Sequence, residues 1–134
     1  AVAGNTLLIH HGKPVSTNLQ VADRDRPYPR VAAAIDRSGT KLWLIAIDGK
    51  QAFYSEGATL AELTAILQEL PVDAAVNLDG GGSTTLVTTT STGTTVLNAP
   101  IHAKIPMVER PVANHLGIYA LPQIDHAPES TPTQ

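Results

Sequence analysis

The chain has 134 residues, 43% of them hydrophobic, with a formal charge of -3 and a pI near 5.9. That length suits one ordinary domain with one core, and the scattered basic residues exclude a general nucleic-acid or acidic-membrane surface. The absence of cysteine excludes disulfides and thiolate metal sites, and no apolar run reaches membrane-spanning length. The chain opens on Ala1 with no signal-peptide pattern ahead of it, so it reads as a mature or excised piece of something longer.

Thr6 to His11 and Val15 to Val21 read as two short strands around a Gly12-Lys13-Pro14 turn. The adjacent His10 and His11 should point to opposite faces, one inward and one outward, and so cannot chelate together. Asp23 to Arg30 is charged and proline-punctuated, an exposed loop leading into Val31 to Asp36. That run and Leu42 to Asp48 are apolar on successive residues, which predicts a hairpin of central strands covered on both faces. Asp48-Gly49-Lys50-Gln51 is a turn, and Ala52 to Ser55 a brief edge segment. Thr59 and Glu62 form a capping box for one clear helix, with Leu60, Leu63, Ile66, Leu67 and Leu70 at helical spacing until Pro71.

Val72 to Leu78 is then a buried strand that ends in Asn77 and Asp79 and opens into Gly80-Gly81-Gly82, followed by Ser83 and Thr84. Three consecutive glycines cost chain entropy, so their presence implies a use for positive φ or for bare backbone. Amides in such a turn can converge on an anion, with the Ser83 and Thr84 hydroxyls beside them. Thr84 to Thr90 and Thr94 to Leu97 predict a threonine-rich hairpin, whereas Asn98 to Val108, with Pro100 and Pro106, should be irregular. Leu116 to Leu121 reads as a closing strand, and residues 122–134 as a polar, proline-containing tail or linker. The fold class expected is α+β, a mixed and largely antiparallel sheet with one main helix packed on it.

Polar residues at strand ends recur at Arg30, at Asn77 and Asp79, and at Glu109, Arg110 and Asn114, and one sheet rim can gather all three sets. No P-loop lysine, nucleophile elbow, zinc helix or calcium loop accompanies them. The blocks Pro29-Arg30, Asp48-Gly49, Gly57 to Leu63, Asn77 to Thr84, Asn98 with Pro100, and Glu109 to Val112 with Asn114 resemble, in order, the phosphodiester glycosidase family. This is the family of the N-acetylglucosamine-1-phosphodiester α-N-acetylglucosaminidase catalytic domain. The resemblance covers roughly Arg30 to Leu121 and implies a phosphodiester glycosidase-like domain at 1–121. It also implies an extracytoplasmic setting, secreted, periplasmic or in the cell envelope. Family domains carry an upstream Asn-Gly-Gly-Phe-Phe-like segment that this chain lacks, so the chain should correspond to the C-terminal part of the domain. The missing part, or a partner chain, would complete it.

A sugar joined through its anomeric carbon to a phosphodiester has a good leaving group, so an anion holder and a carboxylate matter most. By resemblance and chemistry, Asp79 and Glu109 are the catalytic candidates, and Arg30, Arg110 and the Gly80, Gly81 and Gly82 amides would hold phosphate. Asn77, Ser83 and Asn114 would orient hydroxyls, Thr84 would add its hydroxyl donor beside the glycine turn, and Asp48 is the weakest candidate because Asp-Gly commonly just turns a chain. The expected partner is a phosphorylated sugar or exopolysaccharide-related glycan. The sequence requires no cofactor and leaves room for a divalent cation without supporting one. Two alternatives stand beside the glycosidase: a non-catalytic module binding anionic glycans, and a structural fragment completing a larger assembly.

Overall fold

A computed structural model describes residues 2, 4–15 and 26–120. The expected features at residues 16–25, which hold most of the second strand and the start of the charged loop, lie outside the described residues, as does the 122–134 tail. The architecture is α+β. A five-stranded sheet in the order β2-β1-β5-β3-β4 carries one helix, α1, on one face. Its strands are β1 (Thr6–His10), β2 (Lys13–Pro14), β3 (Arg30–Ile35), β4 (Leu42–Ile47) and β5 (Ala74–Asn77), and every described ladder is antiparallel.

The helix forms where the capping box predicts. α1 spans Leu60–Gln68, Thr59 Oγ1 accepts from the Glu62 N–H at 3.1 Å, and the Glu62 carboxylate accepts from the Thr59 N–H at 2.8 Å. The Thr59 N–H, and after it the Thr59 hydroxyl donating to the same carboxylate at 2.9 Å, hold the Glu62 carboxyl below its ordinary range. Leu60, Leu63 and Leu67 are buried against Leu8, Ile9, Ala32, Ala34 and Ala75, and this cluster is the core. Ile66, expected in the same stripe, is 43% exposed because it sits on the flank of the helix rather than over the sheet.

The register explains the unbroken apolar runs of β3 and β4. Ala32 and Ala34, with their partners Ile45 and Trp43, face α1, while Val31, Ala33 and Ile35, with Ala46, Leu44 and Leu42, face the other way. The β3–β4 turn is organised by Asp36, whose carboxylate accepts from the N–H groups of Thr40 (2.9 Å) and Lys41 (2.8 Å) and from the Ser38 hydroxyl. Two small hairpins follow the sheet, β6–β7 (Val87–Thr90 and Gly93–Val96) and β8–β9 (Ile101–His102 and Ile105–Pro106).

Several expectations are corrected. His10 and His11 are both exposed with ring centroids 4.0 Å apart, because His11 leaves the strand for a turn at φ 51 and escapes the strand alternation. Ala52 to Ser55 is a tight loop closed by a Gln51–Ser55 bridge, not an edge strand. The Pro-containing stretch after Asn98 is not irregular throughout, since β8–β9 forms within it and Pro106 tolerates a two-residue strand. Leu116 to Ala120 is exposed and makes no strand, and Leu121 lies outside the described residues. The sheet rim is therefore built from β3 and β5 without a third strand beginning near Asn114.

Candidate active site

The site is assembled on the segment Tyr28-Pro29-Arg30. Tyr28 exchanges backbone hydrogen bonds with Ala58 at 3.0 and 3.2 Å, and Pro29 is fully buried. β5 lies beside β3, with the Leu78 N–H donating to the Val31 carbonyl at 2.8 Å, so the chain leaving β5 must turn over Pro29. It does so through a single 3-10 turn, Gly81–Ser83. The Gly81 N–H donates to the Pro29 carbonyl at 2.9 Å, and a Cβ on Gly80 would stand 2.4 Å from that same oxygen. Gly81 takes φ 62, with the Tyr28 ring 2.7 Å from where its Cβ would be. Bare backbone is needed here because the turn lies directly on another chain segment. The Gly81 donor is thereby committed inside the fold.

Gly82 forms the floor of a cleft of about 340 Å³, within the size range of small-ligand sites. Tyr28, Lys50 and Ile101 line it together with the His102-Ala103-Lys104 turn of β8–β9 and Arg110. A Cβ on Gly82 would lie 3.2 Å from Arg110 Cδ and 3.7 Å from His102 Nδ1, so glycine keeps the floor open. Lys50 Nζ sits 3.8 Å from the Tyr28 ring centroid, a cation–π contact that fixes where the ammonium stands.

Three non-glycine liners hold left-handed backbone: Lys50 at φ 58, Ala103 at φ 50 and Lys104 at φ 65. Each costs on the order of 1 kcal/mol, and such residues concentrate at functional sites. Lys50, Lys104 and Arg110 enter none of the described salt bridges, and among the described residues no carboxylate lines the cleft. A chain of net negative charge thus places three positive side chains, and among the described residues no negative one, around this cleft.

The hairpin is held there by Asp48. Its carboxylate accepts from Asn98 Nδ2 at 2.8 Å, the Ala99 N–H at 2.9 Å and the Tyr54 hydroxyl at 3.1 Å; that last bond raises the phenol above its ordinary range. Asn98 also donates to the Thr84 carbonyl and accepts from the Leu86 N–H, and Gln51 Nε2 donates to the Ala99 carbonyl. Asp48 and Asn98, far apart in sequence, are one structural clasp.

The other expected residues fall in several places. Arg30 donates from Nε to the Ala58 carbonyl at 2.9 Å and from Nη2 to the Arg26 carbonyl at 3.2 Å, and its guanidinium lies 5.5 Å from the Tyr28 ring centroid. Burial lowers its pKa first, with Tyr28 opposing. Asn77 is buried, its Nδ2 donating to Asn5 Oδ1 and the Leu78 carbonyl, while its Oδ1 and the Thr84 hydroxyl are buried without a partner among the described residues. Asp79 is exposed next to Gly80, and Glu109 is exposed next to Arg110; neither makes a described hydrogen bond or ion pair. Asn114 lies on the exposed final segment, apart from the cleft liners. Ser83 ends the 3-10 turn, its N–H donating to the Gly80 carbonyl, and Thr84 is the cap, its N–H donating to the Gly81 carbonyl. The cleft liners Tyr28, Lys50, His102 and Lys104 were not foreseen. No three-residue cluster of metal-ligating side chains occurs among the described residues.

Fold and cleft together define an α+β domain with a glycine-floored, cation-lined site. The chain belongs to the phosphodiester glycosidase family, whose model matches residues 1–119. Among solved structures it is similar to the zebrafish N-acetylglucosamine-1-phosphodiester α-N-acetylglucosaminidase catalytic domain, described as auto-inhibited by its pro-peptide. Identity is 27% and the TM-score 0.52, over 62% of this chain and 30% of that one. A hypothetical protein from Synechocystis aligns at 34% identity and a TM-score of 0.49, over 60% of this chain and 15% of that one. The chain therefore spans less than a third of either structure. Among curated proteins there is no significant match. No described helix is long and apolar enough to cross a membrane.

Proposed function

We propose that this chain forms part of a catalytic domain that hydrolyses the bond between an anomeric carbon and a phosphodiester. The substrate would be an N-acetylglucosamine-1-phosphodiester or a related exopolysaccharide linkage, met outside the cytoplasm. The observation that carries the reading is the cleft lined by Lys50, Lys104 and Arg110, with no carboxylate among its described liners. As the C1–O bond breaks, its electron pair goes to the phosphate, whose charge grows, and fixed cations stabilise that developing charge most. Asp79 and Glu109 flank the cleft in sequence, beside Gly80 and Arg110, and are the carboxylates assigned to the sugar cation or to water. Arg30, Asn77 and Thr84 support the Gly80–Gly82 turn, while Ser83 and Asn114 serve the sugar hydroxyls. The rest of the domain, or a partner chain, completes the sugar subsite.

The test is turnover of N-acetylglucosamine-1-phospho-methyl diester by the full polypeptide that carries this chain. Asp79→Asn and Glu109→Gln should each lower kcat about 100-fold or more while KM changes little, because such groups act chiefly in the transition state. Full turnover by both variants overturns the assignment. A carboxylate-free cleft also suits a module that binds anionic glycans without cleaving them, and no turnover by the unaltered protein with anion binding retained would establish that reading instead.

A further inference from the structure

We infer that the cleft favours a phosphate monoester dianion over a phosphate diester, so that the reaction's own phosphorylated product occupies and inhibits the site. The inference rests on the reading that this cleft holds phosphate. A diester carries one negative charge, whereas a monoester at neutral pH carries nearly two and offers one more terminal oxygen. Against either ligand the cleft sets three permanent cations, Lys50, Lys104 and Arg110, with no lining carboxylate among the described residues to offset them. One diester charge leaves this set under-neutralised.

Two of the three positive residues are also constrained, Lys50 at its ammonium and Lys104 at its backbone. Lys50 is pinned 3.8 Å from the Tyr28 ring centroid, and Lys104 is presented by a hairpin turn with two successive left-handed, non-glycine residues. A site pre-organised in this way loses little on ordering around its ligand, so added ligand charge is expressed as affinity. The feature that stabilises the departing phosphate in the transition state therefore stabilises the departed phosphate as well. The glycosidase would slow as monoester accumulates, and a downstream reaction that consumes phosphomonoesters would relieve it.

The experiment compares methyl phosphate with dimethyl phosphate by calorimetric titration of the full polypeptide at low salt, at a pH where methyl phosphate is dianionic. The monoester should bind about tenfold tighter or more. Lys50→Met and Lys104→Met, each checked for an unchanged thermal melt, should narrow that ratio by weakening the monoester more than the diester. Methyl phosphate should also compete with sugar-phosphodiester turnover. Equal affinities, no binding of either ester, or a ratio untouched in both folded variants would each overturn the inference. Absence of turnover with the monoester preference intact would sink the glycosidase reading and leave the dianion site standing.

Discussion

A methyl group added at Gly81 meets different surroundings from one added at its neighbour Gly82, which makes the pair a test of what the glycine triplet is for. At Gly81 the backbone is left-handed and the Tyr28 ring stands 2.7 Å from the Cβ position, so Gly81→Ala combines backbone strain with a clash against a packed ring. A loss of about 2–4 kcal/mol is expected in urea denaturation. At Gly82 φ is ordinary, and the near atoms are the flexible Arg110 Cδ at 3.2 Å and the Ile101 carbonyl oxygen at 3.3 Å, so a methyl is met by a contact a few tenths of an ångström too close rather than by a clash. Gly82→Ala should stay within about 1 kcal/mol of the parent while weakening methyl phosphate binding in calorimetry. Equal destabilisation by the two would show the triplet to be structural throughout. The sequence announced that bare backbone was needed here, but not that the need came from Tyr28 and Pro29 underneath. Arg30 teaches the same lesson: a guanidinium at a strand mouth suggests a ligand, and only the fold reveals that Nε and one Nη already serve two backbone carbonyls.

Single elements were legible in proportion to how local their causes are. The helix is written in Thr59, Glu62 and the leucine spacing, and the β3–β4 hairpin in two apolar runs around Arg37-Ser38-Gly39-Thr40, so both form where expected. β8–β9 was hidden by Pro100 and Pro106 and by an Ala103-Lys104 turn lacking the glycine or asparagine that marks such turns. Lys50 and Lys104 escaped notice for a related reason, since lysines 54 positions apart share a cleft only through the Asp48–Asn98 clasp. The local hairpin supplies a pH prediction. Hydrogen bonds from the Ser38 hydroxyl, then from the Lys41 and Thr40 N–H groups, lower the Asp36 carboxyl from 3.8 to about 2. A lowered folded value means that the stabilisation is complete above the unfolded value and is lost as pH falls through the folded one. The melting temperature difference between the parent and Asp36→Asn should thus be constant above pH 5 or so and shrink from about 3.8 toward 2. A difference that is flat down to pH 2 would refute the role of this carboxylate in the turn.

On the scale of the whole molecule, the sheet has two apolar faces and α1 covers one. On the other, Leu7, Val76, Ala33 and Leu44 align across four strands, with Ile35 and Leu42 in the next row and Val31 and Ala46 beyond. Leu7 is 40% exposed, Ile35 39% and Leu42 52%, and among the described residues β4 is one of the sheet's two edges, a six-residue strand with neither charge nor proline. Natural edges normally carry such blocking residues, so β4 and this face are suited to burial. The expectation from the two apolar runs that both faces are covered is met here on one side only. The chain covers 30% of the zebrafish chain it matches, and we propose that the second face packs against further parts of a phosphodiester glycosidase domain. Expressed alone, the 134-residue chain should therefore bind ANS and associate with rising concentration in light scattering, and Leu42→Lys should shift it toward monomer without unfolding it. Within the full polypeptide the β4 amides should exchange slowly, as buried ladder groups do. A chain that stays monomeric and ANS-silent alone, with β4 amides exchanging fast in the full polypeptide, would mean that this face is a true surface and that the domain is completed elsewhere.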